Sequence, residues 1–332
     1  MNNTETSLED HDNGTHSSAK RAFVQSDITT GIVVNAFLMF LIVGGNFLVI
    51  AAYASNRRLR IGTYSLLVSL AFSDLLVGGV SVPIRIYGTA KGWDVPAHIS
   101  IIYTAIDIFS AIASNLHLMA ISFERFIAVS RPFYYQTLSV RPYAFGSAVS
   151  WGLAVLVAAL HPGNYLQDGP LKLKFSNAYS VTLFAVCFLA PLVVISIVNI
   201  GIFRVAKILI QRVPEHGSGN RLKRERKTAF TLLLMTSLFF IAWFPFFVVN
   251  MLYLYCLPCL PSTLESQFFM VDILKWLQYS NSAVNPIIYA FRDTEMRRSF
   301  ARLLGPFGRL CRINQVVPEL HSQFSLETRT RK

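Results

Sequence analysis

The chain has 332 residues, 53% of them hydrophobic and only 14% charged, against about a quarter charged in an ordinary soluble domain. Water is therefore excluded as its main solvent. A net charge of +12 invites nucleic acid, but the excess lies beside membrane ends, where anionic lipid accounts for it.

Seven windows are long enough to cross a bilayer, for which a helix needs about 20 apolar residues. Windows 28–56, 142–167, 175–203 and 228–264 carry no charge, while 64–87, 99–123 and 270–290 carry one or two inside. In lipid every backbone polar group must be satisfied within its own segment, so each window is predicted to be a helix. The fold class is an all-α membrane protein, a seven-transmembrane-helix bundle with a short amphipathic helix on the cytoplasmic surface. The boundaries are a disordered extracellular tail at 1–27, the bundle at 28–290, the surface helix at 291–304 and a cytoplasmic tail at 305–332. If the first helix enters from outside, 23 of the 30 Lys and Arg fall in the inner loops and the C-terminal tail, as the positive-inside rule requires.

Along the chain, the N-terminal tail offers two N-x-Thr glycosylation acceptors, Asn2 and Asn13, which suits an outside location. No cleavable signal is expected, and the first span acts as its own insertion signal. The second span holds a lone acid, Asp74, in LAFSD. The third, 99–123, holds Asp107, with Arg125 just past its inner end, about five helical turns from Asp107 and on one face with it, and Ser114 on the same face. An acid inside a membrane is costly and marks a site with a positive partner. For Asp107 two partners are open: Lys275 of the seventh span, or the ammonium group of a ligand.

The sixth span puts Phe239, Trp243, Phe246 or Phe247 and Asn250 on one stripe near a kink at Pro245, and the seventh adds Trp276 and Tyr279 on neighbouring turns. An acid with aromatic walls suits an organic ammonium ion, through a charge-assisted hydrogen bond and cation–π contact. Asp74 can meet Asn46, Ser114, Asn281, Ser282 and Asn285, an oxygen-rich set that fits a sodium ion or a structural hydrogen-bond network. At the inner end, Arg125 has Glu124 beside it and Glu225 at the foot of the sixth helix, a latch that lets one helix swing from another when it opens. FRDTEMRRSFARLL then reads as a helix lying on the inner surface, and Cys311 beyond it is a palmitoylation candidate.

These residues resemble the rhodopsin-like G-protein-coupled receptors from 31 to 304. The matches come in order: GGN with Asn46, LAFSD with Asp74, ERF in place of the usual Asp-Arg-Tyr, Trp151, Pro191, AWFP with Trp243 and Pro245, and NPIIY with Asn285, Pro286 and Tyr289. Within the family the chain looks most like the biogenic-amine branch. The resemblance implies a plasma-membrane receptor, not an enzyme, whose Asp107 binds a protonated small-molecule amine and whose Tyr279 holds that acid. It implies further pocket positions at Ala111, Phe184, Cys187, Trp243, Phe246, Phe247, Asn250, Lys275 and Trp276, and a small outer-loop disulfide between Cys256 and Cys259. It also implies that agonist binding near Trp243 swings the sixth helix outward, separates Arg125 from Glu225 and opens a cavity for a heterotrimeric G protein, with Pro245, Pro286 and Tyr289 in the switch.

Departures from the family pattern sharpen the question of ligand. Ser100 stands where a Cys usually staples the third helix to the second outer loop, and Leu183, Phe184 and Cys187 stand where catecholamine receptors present serines. Asn199 and Ala242 also replace usual residues. Lys275 lies one turn outward of Tyr279 and is placed to neutralise Asp107, so a peptide or lipid mediator is the alternative ligand class. Whether Lys275 reaches Asp107 discriminates between the two. An opsin would need a lysine where Tyr279 stands, and no repeat or catalytic pair speaks for a transporter or an enzyme.

Overall fold

A computed structural model describes residues 5–60, 62–161, 169–212 and 219–305, without the side chains of 5–27, 206–236 and a few single positions. The elements are α1 (Glu5–Ser55), α2 (Gly62–Leu76), α3 (Val82–Ala90), α4 (Ala97–Ser130), α5 (Pro132–Thr137), α6 (Arg141–Ala159), α7 (Pro170–Thr182), α8 (Ala190–Arg212), α9 (Gly219–Tyr255), α10 (Leu264–Arg292) and α11 (Thr294–Leu303). Turns of π-helix at Val77–Ser81 and Leu183–Leu189 join α2 to α3 and α7 to α8. The seven spans are thus α1, α2–α3, α4, α6, α7–α8, α9 and α10.

Six of the seven are long and apolar enough to cross a membrane by composition. The seventh, α10, falls short because its inward face carries Asp272, Lys275, Gln278, Asn281 and Asn285. It packs against α1 and α9 and closes the bundle. Helix α4 stands at the centre, against α2, α6 and α8. Phe145, Leu153 and Leu156 of α6 face outward, as expected where lipid is the solvent.

Small residues set the closest approaches. A Cβ at Gly45 of α1 would lie 2.9 Å from Cγ of Pro286 in α10, so the glycine of GGN is what lets these helices touch at the proline. At the outer turn between α3 and α4, Trp93 has φ 61°, a strained conformation for a bulky residue. Its ring is held by Tyr103, with centroids 5.6 Å apart, and by the Arg85 guanidinium 5.2 Å away.

Helix α11 follows α10 after Asp293, whose carboxylate caps it by accepting from the Met296 amide at 2.9 Å and also accepts from the Tyr64 hydroxyl at 2.7 Å. Met296 and Phe300 are buried, which fastens α11 under α1 and α10. At the other end, α1 is helical from Glu5. Nothing in 5–27 breaks a helix as proline does, and extending one from an anchored nucleus costs little per residue.

Candidate functional site

A cavity of about 350 Å³ lies between α4, α7–α8, α9 and α10, and its walls include Asp107, Ala111, Cys187, Trp243, Phe246, Phe247, Asn250 and Lys275. These residues converge because α4, α9 and α10 each turn a polar or aromatic stripe inward. Phe247 stacks near Phe188 and Phe184, with ring centroids 4.5 and 5.4 Å away, and Trp243 sits below among Phe239, Phe246 and Phe247.

Asp107 is not free. The Lys275 ammonium donates to its Oδ2, and the Tyr279 hydroxyl donates to its Oδ1 at 3.4 Å. Lys275 also sits 5.1 Å from the Phe246 ring centre and 5.8 Å from that of Tyr103. The protein's own lysine therefore makes the two contacts that the sequence reserves for a ligand cation. Of the two partners open to Asp107, Lys275 is the one in place: one turn of helix outward of Tyr279 is close enough for a long Lys side chain to reach across to α4.

Two further expected wall residues lie elsewhere. Phe184 lies against Phe188 and Phe247, and Trp276 packs against a cluster of Leu38, Ile42, Val77, Val82, Tyr279 and Ala283. Neither lines the cavity, and Phe184 lies within the π-helical segment of the fifth span. Conversely, Arg85 and Tyr103 were not foreseen. Arg85 is 2% exposed and pairs with Asp272. It also donates to the Tyr103 hydroxyl at 3.4 Å, and Tyr103 is bonded to the Tyr279 hydroxyl at 3.0 Å. A charged residue in each of the second and seventh windows was the available signal.

Below the cavity, a void of about 20 Å³ is lined by both Asp107 and Ser114, with Asn281 and Ser282. Ser114 and Ser282 belong to the next polar cluster. Fully buried Asp74 accepts from Ser282 Oγ at 2.7 Å and Ser114 Oγ at 3.2 Å on one oxygen, and from Asn285 Nδ2 at 2.9 Å on the other. Asn46 donates instead to the Ser282 carbonyl at 3.2 Å, and Asn281 is buried at the same level. The cluster gathers one carboxylate and two hydroxyls, with the Asn285 amide nitrogen turned to the carboxylate.

At the inner end, Glu124 accepts from Thr63 Oγ1 at 2.6 Å and lies 3.1 Å from Arg125 Nε, an ion pair without hydrogen-bond alignment. Thr63 is bonded in turn to Tyr135 of α5 at 3.0 Å. Burial, then the nearby Glu124 carboxylate, push the Tyr135 phenol up, so it keeps its proton at neutral pH. Pro245 and Pro286 lie inside α9 and α10, and the Tyr289 side chain is buried. Cys256 and Cys259 are bonded across the turn Leu257–Cys259. The Glu225 and Asn13 side chains, Asn2 and Cys311 lie outside the described residues.

A bundle of seven spans, with a polar interior and a cavity opening among its outer helix ends, is the plan of a membrane receptor. The chain belongs to the rhodopsin family of seven-transmembrane receptors, whose model matches residues 45–289. It is 32% identical to the human histamine H2 receptor, over 96% of this chain and 90% of that receptor. It is also 30% identical to the D(1) dopamine receptor of Carassius auratus, over 90% of this chain and 95% of that receptor. The similarity is thus to the biogenic-amine branch of the G-protein-coupled receptors, and the chain is a multi-pass membrane receptor, not an enzyme.

Proposed function

We propose that this receptor binds a small protonated amine at Asp107 and activates a heterotrimeric G protein by outward movement of α9, with its N-terminus outside the cell. The carrying observation is that Asp107 faces a cavity whose other walls include the rings of Trp243, Phe246 and Phe247, an acid among aromatic faces. The pocket therefore has the chemistry to hold an ammonium ion, and kinship with receptors named for dopamine and histamine points the same way. A ligand amine must displace Lys275. Agonist and G protein favour the same open state, so each tightens the other.

The pairing of Lys275 with Asp107 weighs the other way and favours the peptide or lipid alternative, because a neutralised Asp107 gives such a ligand no opposing charge. A second-messenger screen of an amine panel on cells bearing the native chain and Asp107→Asn separates the two. Any amine agonist should lose at least about a hundredfold in potency, since removing one partner of a buried ion pair costs about 3–5 kcal/mol. An unchanged response would refute the amine assignment.

Asp74, with the hydroxyls of Ser114 and Ser282, is the proposed sodium site, where the cation would neutralise a fully buried carboxylate and favour the closed state.

A further inference from the structure

Four charges crowd the outer end of the bundle. Asp107 pairs with Lys275 and Asp272 with Arg85, and the Tyr103 and Tyr279 hydroxyls link the two pairs. Two acids and two bases make the cluster formally neutral. A plain ammonium ligand that took Asp107 would leave the Lys275 ammonium without its partner and add a positive charge where water is scarce. Both consequences oppose binding.

Gln278 supplies an independent observation. It lies one turn inward of Lys275 on α10, lines the same cavity and is 4% exposed, and neither its Oε1 nor its Nε2 has a hydrogen-bond partner. A buried amide with both polar atoms unpaired calls for an explanation. Facing a cavity, it offers a donor and an acceptor to a guest.

We propose that the ligand is a small zwitterion, its ammonium group held by Asp107 and its carboxylate by the Lys275 ammonium and the Gln278 amide N–H. This rests on the reading that Asp107 takes an ammonium ion, and narrows it. Such a ligand exchanges one ion pair for two and leaves the charge of the cluster unchanged. The linker between its two charged groups is short, because the two protein charges it separates are in direct contact. A cavity of about 350 Å³ is at the small end for ligand sites, which suits an amino acid with its side chain against Trp243, Phe246 and Phe247.

The test uses the full chain in cells and matched probes that share a skeleton: histamine with histidine, phenethylamine with phenylalanine, butylamine with 4-aminobutyrate. In at least one pair the zwitterion should act at about a tenfold lower concentration than the amine, the worth of about one charge-assisted hydrogen bond. Lys275→Gln should reverse that preference. Gln278→Leu should weaken the zwitterion more than the amine, and since Gln278 bonds to no other described residue the variant should reach the surface like the native chain. If Lys275→Gln fails to reach the surface, Gln278→Leu decides. Amines active through Asp107 with their zwitterions inert, or a preference that neither variant moves, overturns the zwitterion and leaves the ammonium reading standing. Silence from every probe of both kinds overturns both.

Discussion

Lys275 of α10 donates to Asp107 of α4, so the seventh and third spans are joined in the outer half of the bundle by an ion pair between a buried lysine and a largely buried aspartate. Removing either charge alone strands the other. In thermal unfolding of the purified receptor, Asp107→Asn should destabilise by about 3–5 kcal/mol, whereas Asp107→Asn combined with Lys275→Met should recover much of that loss. Strictly additive losses in the double variant would show that the pair does not couple.

The Asp74 cluster makes a prediction about salt. Replacing sodium with an impermeant organic cation should raise agonist affinity by about 5-fold or more, within the usual range of allosteric coupling. Asp74→Asn should abolish the difference. Radioligand competition in the two buffers measures it, and a sodium effect of equal size in the variant would remove Asp74 from the site.

Glu124 holds the inner end through Thr63 and lies beside Arg125. Glu124→Gln keeps the shape but removes the charge, and is expected to raise ligand-independent signalling severalfold at matched surface expression. Glu225→Gln should do the same if the latch forms. Unaltered basal output from both variants would leave the inner charges with a packing role alone.

Gly45 and Gly44 form a built-in control. A Cβ at Gly45 meets Pro286, while one at Gly44 meets nothing within 4 Å. Gly45→Ala should therefore cost about 1–3 kcal/mol by overpacking and lower the melting temperature, and Gly44→Ala should not. Equal melting of the two would contradict the close approach of α1 and α10.

Much of this was legible before any coordinates. Charges are so scarce in the spans that each one stands out, and Ser114, Ser282 and Asn285 gather round Asp74 because polar groups at one depth in lipid have few other partners. Pairings that depend on helix rotation were less legible. The π-helical turn at Val77–Ser81 precedes Arg85, and no spacing rule in the sequence reveals that this Arg finds Asp272. The same holds for Phe184, in the second π-helical turn, and for Trp276, which packs against the cluster that holds Tyr279. Lys275 was seen as able to neutralise Asp107; that it would also settle against Phe246 and Tyr103 required the positions of three helices together.

The absent staple at Ser100 has a consequence for handling this protein. The bridge between Cys256 and Cys259 spans a sequence separation of 3 and ties no helix to another. Among the described residues, the outer ends of the second and seventh spans are instead clasped by Arg85 and Asp272, with Trp93 laid over the guanidinium. A thiol reductant would thus find no covalent strut between helices to cut at the mouth of this receptor, and its dimensions should survive treatment that loosens relatives built with one.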